Sequence, residues 1–202
     1  MFKSIQGEGM LIGVPCFFIR LSGCNLRCRY CDTKYAWNDG EEMSIDSIVK
    51  EAIESRARWV TITGGEPLLQ LPELDKLVIE LKRLGFRVAI ETNASVEPSD
   101  IVKEMVDLIV ASPKLPSFNP DYPGMKLGKI PIDRLWIKFV ITDPEKDFHE
   151  LIKYVPRHVP LDRLSVQPNS YTISYTELVE YVLKHNLPYR VLPQLHKIIG
   201  IR

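Results

Sequence analysis

The chain has 202 residues, of which 45% are hydrophobic, so it can bury one substantial core, and we predict a single domain over residues 1–202. Its 26 basic and 26 acidic side chains give a formal net charge of zero, which excludes a global basic field for nucleic acid and favours a small-molecule partner. The amino terminus lacks the apolar core of a signal peptide and no long uncharged apolar run occurs, so we expect a cytoplasmic protein without membrane contact.

Short β-branched or aromatic segments alternate with longer amphipathic segments, a pattern typical of βα units around a parallel sheet. Ser44 is a plausible N-cap and Gly85 a plausible C-cap of two of the helical segments. The Pro- and Gly-rich segment 114–131 is predicted to be a loop. The predicted strands are 16–23, 59–64, 87–92, 108–113, 135–142 and 163–168, and the predicted helices are 44–56, 71–85, 144–155 and 174–186.

Six βα units are too few to close an eight-stranded barrel, so we predict an α/β fold built on a partial, open parallel βα barrel of about six strands. Ligands of parallel βα folds bind at the carboxyl ends of the strands. Five of the predicted strands end in polar motifs, namely GCNLRCRYC, TGGEP, ETN, SPK and QPN. This edge of the sheet is therefore predicted to carry the functional site.

Cys24, Cys28 and Cys31 form a C-x3-C-x2-C motif directly after the first predicted strand. Thiolates on such a loop can converge on one inorganic centre. A structural zinc site normally uses four protein ligands, whereas a four-iron cluster held by three cysteines keeps one iron open. Taken alone, the triplet also fits zinc or a ferredoxin-like carrier. Cys16 begins the same strand, roughly 25 Å of extended chain earlier, so we predict a small buried residue rather than a fourth ligand.

Together with the GGEP segment after the second strand, the cysteine triplet resembles the radical S-adenosylmethionine superfamily. The resemblance implies that Cys24, Cys28 and Cys31 hold a 4Fe-4S cluster whose open iron binds adenosylmethionine. It also implies that Gly65 and Glu66 lie at the adenosylmethionine site. A carboxylate such as that of Glu66 can accept a charge-assisted hydrogen bond from an ammonium group.

Motifs along the whole chain resemble one family within this superfamily, the 7-carboxy-7-deazaguanine synthases; they are SIQGEG, FIRLSGCNLRCRYCDT, TGGEPLLQ, ETN, SPK and LPQLHK. The resemblance implies a lyase that contracts 6-carboxy-5,6,7,8-tetrahydropterin to 7-carboxy-7-deazaguanine with loss of ammonia, on the route to queuosine and other 7-deazapurines. It further implies Mg²⁺, a homodimer and an electron donor such as flavodoxin or ferredoxin.

The same resemblance assigns site residues by matching motif positions. Thr33 is implied as the Mg²⁺ ligand. The implied adenosylmethionine site consists of Tyr30, Asp32, Gly65, Glu66, Ser112, Lys114, Gln167, Pro168, Asn169 and Ser170. The implied pterin site consists of Ile5, Gln6, Gly7, Glu8, Arg20, Thr63, Glu91, Asn93, His196 and Arg202.

Three of these residues have specific predicted roles. Arg20 lies four positions before Cys24 and is placed to clamp a substrate carboxylate with its planar guanidinium. His196 is a candidate for proton transfer. Arg202 is implied to bring its main-chain carboxylate to the pocket.

Two alternatives to this function stay open on the sequence. A glycyl-radical-enzyme activase would share the cluster but act on a protein partner, which gives no role to the SIQGEG and LPQLHK motifs. A non-enzymatic iron-sulfur or zinc module would give no role to GGEP and would not cleave adenosylmethionine.

Overall fold

The computed structural model describes residues 1–201 and contains one sheet of eight strands that follow one another in chain order. The first pair is antiparallel and all later neighbours are parallel. Within the described residues the sheet starts at the first strand and ends at the eighth without closing, which confirms the open partial barrel. The strands are β1 (Phe2–Ile5), β2 (Pro15–Leu21), β3 (Trp59–Gly64), β4 (Arg87–Thr92), β5 (Leu108–Ala111), β6 (Leu135–Ile141), β7 (Leu164–Pro168) and β8 (Arg190–Val191).

Helices follow β2, β3, β4, β6, β7 and β8, either directly or after a loop, and several have side-chain caps at their amino termini. Ser44 accepts a hydrogen bond from the Ser47 amide, and Ser174 forms a capping box with Glu177. The longest helices have 11 residues, and none within 1–201 has the length and apolar character that a membrane span requires. The helices are α1 (Ile45–Ser55), α2 (Glu73–Arg83), α3 (Asp100–Met105), α4 (Pro144–Tyr154), α5 (Tyr175–Lys184) and α6 (Leu195–Ile198).

All six predicted strands and all four predicted helices are confirmed, with ends that differ by a few residues. The sequence did not predict β1 (FKSI) and β8 (RV) because they lack the apolar run of the other strands, nor α3 and α6 because six and four residues are too few for a helical period to stand out. β1 is held by antiparallel pairing to β2 and by Phe2, whose ring stacks on Phe18 with centroids 5.0 Å apart. Segment 114–131 contains neither helix nor strand, as predicted.

Side chains on successive strand residues point to opposite faces of the sheet, and this alternation separates core from site. The outer face packs under the helices; for example, Val88 and Ile90 of β4 belong to the main apolar core with Leu77 and Val78 of α2. The inner face carries a small apolar layer near its base, which includes Ala89 and Trp136. Above that layer, nearer the carboxyl ends, the inward positions are polar: Arg20, Thr63, Glu91, Lys138 and Gln167.

Candidate functional site

A cavity of about 250 Å³ opens at the carboxyl ends of the strands, at the edge of the sheet that the sequence predicts. The residues predicted from the sequence converge there, although they are spread from Ile5 to His196. Those that line the cavity are Ile5, Gln6, Gly7, Glu8, Arg20, Cys24, Cys28, Tyr30, Cys31, Asp32, Thr33, Thr63, Gly65, Glu91, Asn93, Ser112, Lys114, Gln167, Pro168, Asn169, Ser170 and His196.

Two predicted site residues are not among the lining residues. Glu66 is fully buried, and its carboxylate accepts hydrogen bonds from the Leu68 amide (3.0 Å), the Thr92 hydroxyl (2.7 Å) and the Asn93 amide (2.6 Å). Burial raises the pKa of Glu66 against the opposing effect of these donors. In this structure Glu66 therefore joins the ends of β3 and β4, and its assignment to the adenosylmethionine site stays a prediction. Arg202 lies outside the described residues.

The three clustered cysteines each receive one N–H hydrogen bond on sulfur. The Leu26 amide donates to Cys24 (3.5 Å), the Thr33 amide donates to Cys31 (3.4 Å), and the side-chain amide of Asn119 donates to Cys28 (3.5 Å). Donors of this kind stabilise the thiolate form and set the reduction potential of iron-sulfur clusters. The sequence did not predict Asn119, which reaches Cys28 from the irregular segment 114–131.

These cysteines fit an iron-sulfur cluster better than a single metal ion. All three are free thiols that line one cavity. A 4Fe-4S cluster would bind each thiolate through a different iron atom, which suits three cysteines on one loop, whereas a structural zinc site normally needs a fourth protein ligand. Burial raises the pKa of Cys24 and Cys31, so bound iron would supply the positive charge that keeps them deprotonated. Cys16 is fully buried at the start of β2, as predicted, and is not among the residues lining the cavity.

The GGEP segment supports the cysteine loop through its backbone. The Gly65 amide donates to the Leu21 carbonyl (3.0 Å), and the Glu66 amide donates to the Gly23 carbonyl (2.8 Å). A Cβ atom on Gly65 would lie 2.1 Å from the Gly23 oxygen. The close approach that requires glycine here is therefore one between two loops of the protein.

Replacing Gly65 with alanine is expected to push the cysteine loop away from β3. Because the clash is with backbone, it cannot be relieved by a rotamer change, and we expect the free energy of unfolding to fall by about 1–3 kcal/mol. Denaturant unfolding measures this loss. Ser22→Ala changes the same loop without adding an atom, so it should leave stability within about 0.5 kcal/mol of the parent. Equal stability of Gly65→Ala and the parent would contradict the predicted clash.

Arg20 provides a guanidinium without an anionic partner. Its Nε atom is buried and has no hydrogen-bond partner within residues 1–201, and no ion pair of Arg20 occurs there. The guanidinium lies 5.7 Å from the Phe2 ring centroid and 5.8 Å from that of Tyr35, so aromatic faces hold it in place. A buried N–H donor without a partner lowers the free energy of unfolding, and an anionic ligand in the cavity would provide the missing acceptor for Arg20.

Facing the same cavity, a buried lysine joins two carboxylates. Lys138 on β6 forms ion pairs with Glu8 and with Glu91, the latter at 3.3 Å between Nζ and Oε2. Glu91 also accepts from the Gln6 amide (2.8 Å). Although burial opposes the shift, the charge of Lys138 and hydrogen bonds from Lys138 and two glutamine amides lower the pKa of Glu8 to about 2. We call Glu8, Glu91 and Lys138 the acidic triad.

The carboxy-terminal helix α6 and the residue before it complete the wall. Gln194 donates to Glu8 (2.6 Å), and the Leu195 amide donates to the Gly7 carbonyl (2.8 Å). His196 lies so close to Gly7 that a Cβ there would be 2.0 Å from its Nδ1 atom. Because Gly7 has no side chain, the imidazole of His196 can lie at the cavity wall.

The remaining predicted residues lie on the side of the cysteine loop. The Asp32 carboxylate accepts from the Thr33 hydroxyl (3.0 Å) and pairs with Lys197 (3.2 Å). Lys114 donates to the Ser112 hydroxyl (3.0 Å). The cysteine loop, Ser112, Lys114 and segment 167–170 all line the same cavity.

Sequence analysis missed Lys138 and Gln194, the two partners that organise Glu8. A lysine inside the apolar strand LWIKFVI is a signal, because a buried charge requires a partner. Nothing in the sequence identifies that partner as Glu8, which lies 130 positions away.

Comparisons with known proteins show the family of this chain. Residues 18–136 match the model of the radical SAM superfamily. The chain is 37% identical over 202 residues to 7-carboxy-7-deazaguanine synthase of Methanospirillum hungatei, covering 100% of this chain and 84% of that one. It is 36% identical over 203 residues to the synthase of Bacteroides thetaiotaomicron, covering 100% and 96%.

A solved structure gives the same result. The crystal structure of QueE from Escherichia coli superposes with a TM-score of 0.66 at 30% identity, covering 95% of this chain and 90% of that one. The agreement extends over nearly the full length of both chains. This chain belongs to the radical SAM superfamily and, within it, to the 7-carboxy-7-deazaguanine synthase family.

Proposed function

We propose that the chain is a radical SAM lyase that converts 6-carboxy-5,6,7,8-tetrahydropterin to 7-carboxy-7-deazaguanine with loss of ammonia. The observation that carries this proposal is the charge pattern of one cavity. The cavity that receives the three cysteines is also lined by the unpaired guanidinium of Arg20. The acidic triad, which carries one net negative charge, lines the same cavity. The substrate has the complementary pattern, since it bears a carboxylate at one end and the N–H donors of an aminopyrimidinone at the other.

The cofactors follow from the superfamily. Radical SAM enzymes use a 4Fe-4S cluster and S-adenosylmethionine, and when bound these supply the 5'-deoxyadenosyl radical that starts the reaction. Cys24, Cys28 and Cys31 would hold the cluster. Tyr30, Asp32, Gly65, Ser112, Lys114 and segment 167–170 would border the adenosylmethionine, since all of them line the cavity that also receives the three cysteines.

The chain's own residues would bind and orient the pterin. Arg20 would pair with its carboxylate, and Glu8 and Glu91 would accept hydrogen bonds from its pyrimidine edge. His196, which Gly7 admits to the cavity, would stand beside the ring as a candidate for proton transfer. Ile5, Gln6, Thr63 and Asn93 complete the lining on this side.

The test is turnover by the anaerobically reconstituted protein. It is incubated with dithionite, adenosylmethionine, Mg²⁺ and 6-carboxy-5,6,7,8-tetrahydropterin, and the products are identified by mass spectrometry. We expect 5'-deoxyadenosine together with 7-carboxy-7-deazaguanine. Deoxyadenosine without the deazapurine would refute the proposed reaction and favour an activase, and the absence of both products would refute radical chemistry.

We also propose Thr33 as a ligand of Mg²⁺. Its hydroxyl lines the cavity and lies 3.0 Å from Asp32, so hard oxygen donors of the kind that Mg²⁺ prefers are present. Thr33→Val removes the hydroxyl and keeps the volume, and we expect about a tenfold higher Mg²⁺ concentration for half-maximal turnover. Thr172→Val, at a hydroxyl outside the cavity lining, is the control. An unchanged Mg²⁺ requirement in Thr33→Val would contradict the assignment.

Several expectations stay predictions. They are one domain over 1–202, a homodimer, a flavodoxin or ferredoxin as electron donor, and a cytoplasmic location. Light scattering of the purified protein would test the dimer, and reduction by each candidate donor in place of dithionite would test the partner.

A further inference from the structure

Lys138 is a buried cation that the proposed chemistry does not itself require. Its side chain is 5% exposed and stands on the inner face of β6 between Glu8 and Glu91. Taking an ammonium group out of water is costly unless it is paired and hydrogen-bonded. A lysine kept at such a position needs an explanation beyond packing.

The partners of Lys138 come from distant parts of the chain and are themselves held in place. Glu8 accepts from Gln167 (3.2 Å) and Gln194 (2.6 Å) besides Lys138, and Glu91 accepts from Gln6. Donors from four separate segments thus fix two carboxylates at one wall of the cavity. The ammonium prevents the two from repelling each other and leaves the wall with one net negative charge.

Acceptor positions remain on this wall. A carboxylate has about four lone-pair sites. Glu91 uses two of them, for Gln6 and Lys138, and Glu8 uses three, for Lys138, Gln167 and Gln194. The Oε1 atom of Gln167 is buried and has no partner within residues 1–201. The wall therefore offers fixed acceptors to a ligand with several N–H donors.

We propose that Lys138 is a positioning residue for substrate selection: it holds Glu8 and Glu91 ionised and fixed in place, so that the wall selects ligands with the N–H donor edge of a 2-aminopyrimidinone. This inference rests on the proposed function and adds to it the residue that creates the selectivity. Lys138 acts through the two carboxylates and needs no contact with the ring.

The titration of the triad supports the assignment. The pKa of Glu8 is about 2 and that of Lys138 is raised, so this pair is charged at neutral pH. Without the ammonium, two nearby carboxylates resist double ionisation, and the pKa of one of them rises. Other titratable or charged groups near the triad are unchanged by a substitution at position 138. Cys16 interacts with Glu91 and Tyr175 with Glu8, and the cavity lining adds Arg20, Cys24, Cys28, Tyr30, Cys31, Asp32, Lys114, Tyr171, His196 and Lys197.

The first experiment compares two ligands by equilibrium dialysis against the reconstituted protein. The probes are 6-carboxypterin and 6-carboxylumazine, which carries a carbonyl in place of the 2-amino donor. We expect the parent protein to bind 6-carboxypterin at least about tenfold more tightly. Lys138→Met should weaken 6-carboxypterin binding by about 30-fold or more and remove most of the preference. In Lys138→Met the loss of 6-carboxypterin affinity should grow as the pH falls, because a proton shared by Glu8 and Glu91 then occupies acceptor positions that the ligand needs.

A second pair of variants separates charge from packing. Lys138→Arg keeps the charge and should keep the preference even if affinity falls, whereas Lys138→Gln should lose it with the same pH dependence as Lys138→Met. Circular dichroism checks that each variant is folded; if Lys138→Met is not, Lys138→Gln carries the comparison. The inference would be overturned if Lys138→Met and Lys138→Gln kept the full preference for 6-carboxypterin over 6-carboxylumazine. It would also be overturned if these variants lost affinity equally for both ligands, with no change in the pH dependence of binding.

The two proposals fail separately. If the parent protein forms 7-carboxy-7-deazaguanine but the neutral variants keep the preference for 6-carboxypterin, only the role of Lys138 is refuted. If the parent protein prefers 6-carboxypterin and loses that preference with Lys138 but forms no deazapurine, the proposed reaction is refuted and the selective wall stands.

Discussion

Cys28→Ala is expected to abolish cluster assembly and, with it, all cleavage of adenosylmethionine. Cys28 is buried, lines the cavity, and has its sulfur oriented by the Asn119 amide at 3.5 Å. With only Cys24 and Cys31 left, one iron atom of the cluster would have no protein ligand. No further cysteine lines the cavity, so a small movement of the loop would not supply another thiolate. Iron and sulfide content, together with 5'-deoxyadenosine formation, measures the loss.

The matched control is Cys16→Ala. Cys16 is the one cysteine outside the triplet, fully buried at the opposite end of β2, and its replacement deletes one sulfur atom from a buried position beside Thr61. We expect a destabilisation of about 1 kcal/mol with a full complement of iron. A full cluster in Cys28→Ala, or loss of the cluster in Cys16→Ala, would contradict the assignment of the cysteines.

The parallel strands β2 to β7 could be predicted from the sequence because each is a short, mostly apolar run. Arg20, Glu91 and Gln167 follow apolar runs at the ends of such strands, so their convergence at one edge follows from the βα rule. The cysteine triplet and the GGEP segment carry their chemistry in local spacing and could likewise be recognised.

What the sequence could not supply is the set of contacts made across the cavity. Glu66 ends a strand as a ligand-binding residue would, but three donors from its own loop and from β4 satisfy its carboxylate in the interior. Conversely, Lys138 sits in an apolar strand and became a site residue only because Glu8 and Glu91 meet it in space. Both outcomes depend on long-range pairing, for which local residue patterns carry no information.

Arg20→Ala is expected to impair turnover of the pterin while leaving the cleavage of adenosylmethionine intact. The guanidinium is held by aromatic faces and has no anion within the described residues, so it is available for the substrate carboxylate. Its loss should lower kcat/KM for the pterin by about 100-fold or more, as removal of one partner of a buried charge pair does. Adenosylmethionine cleavage in the absence of pterin should persist, because the cysteine loop is unchanged.

Two further variants make the Arg20 experiment specific. Arg20→Lys keeps a positive charge but loses the planar fork that binds both carboxylate oxygens, so it should restore only part of the activity. Arg87→Ala removes a half-exposed arginine at the opposite end of the sheet, where it pairs with Asp107 at 3.3 Å, and should leave turnover unchanged. Equal kcat/KM in Arg20→Ala and the parent would refute the carboxylate clamp. If Arg20→Ala also lost adenosylmethionine cleavage in the absence of pterin, Arg20 would be needed for the cysteine loop. The charge of Arg20 would then no longer argue for a pterin carboxylate at this wall.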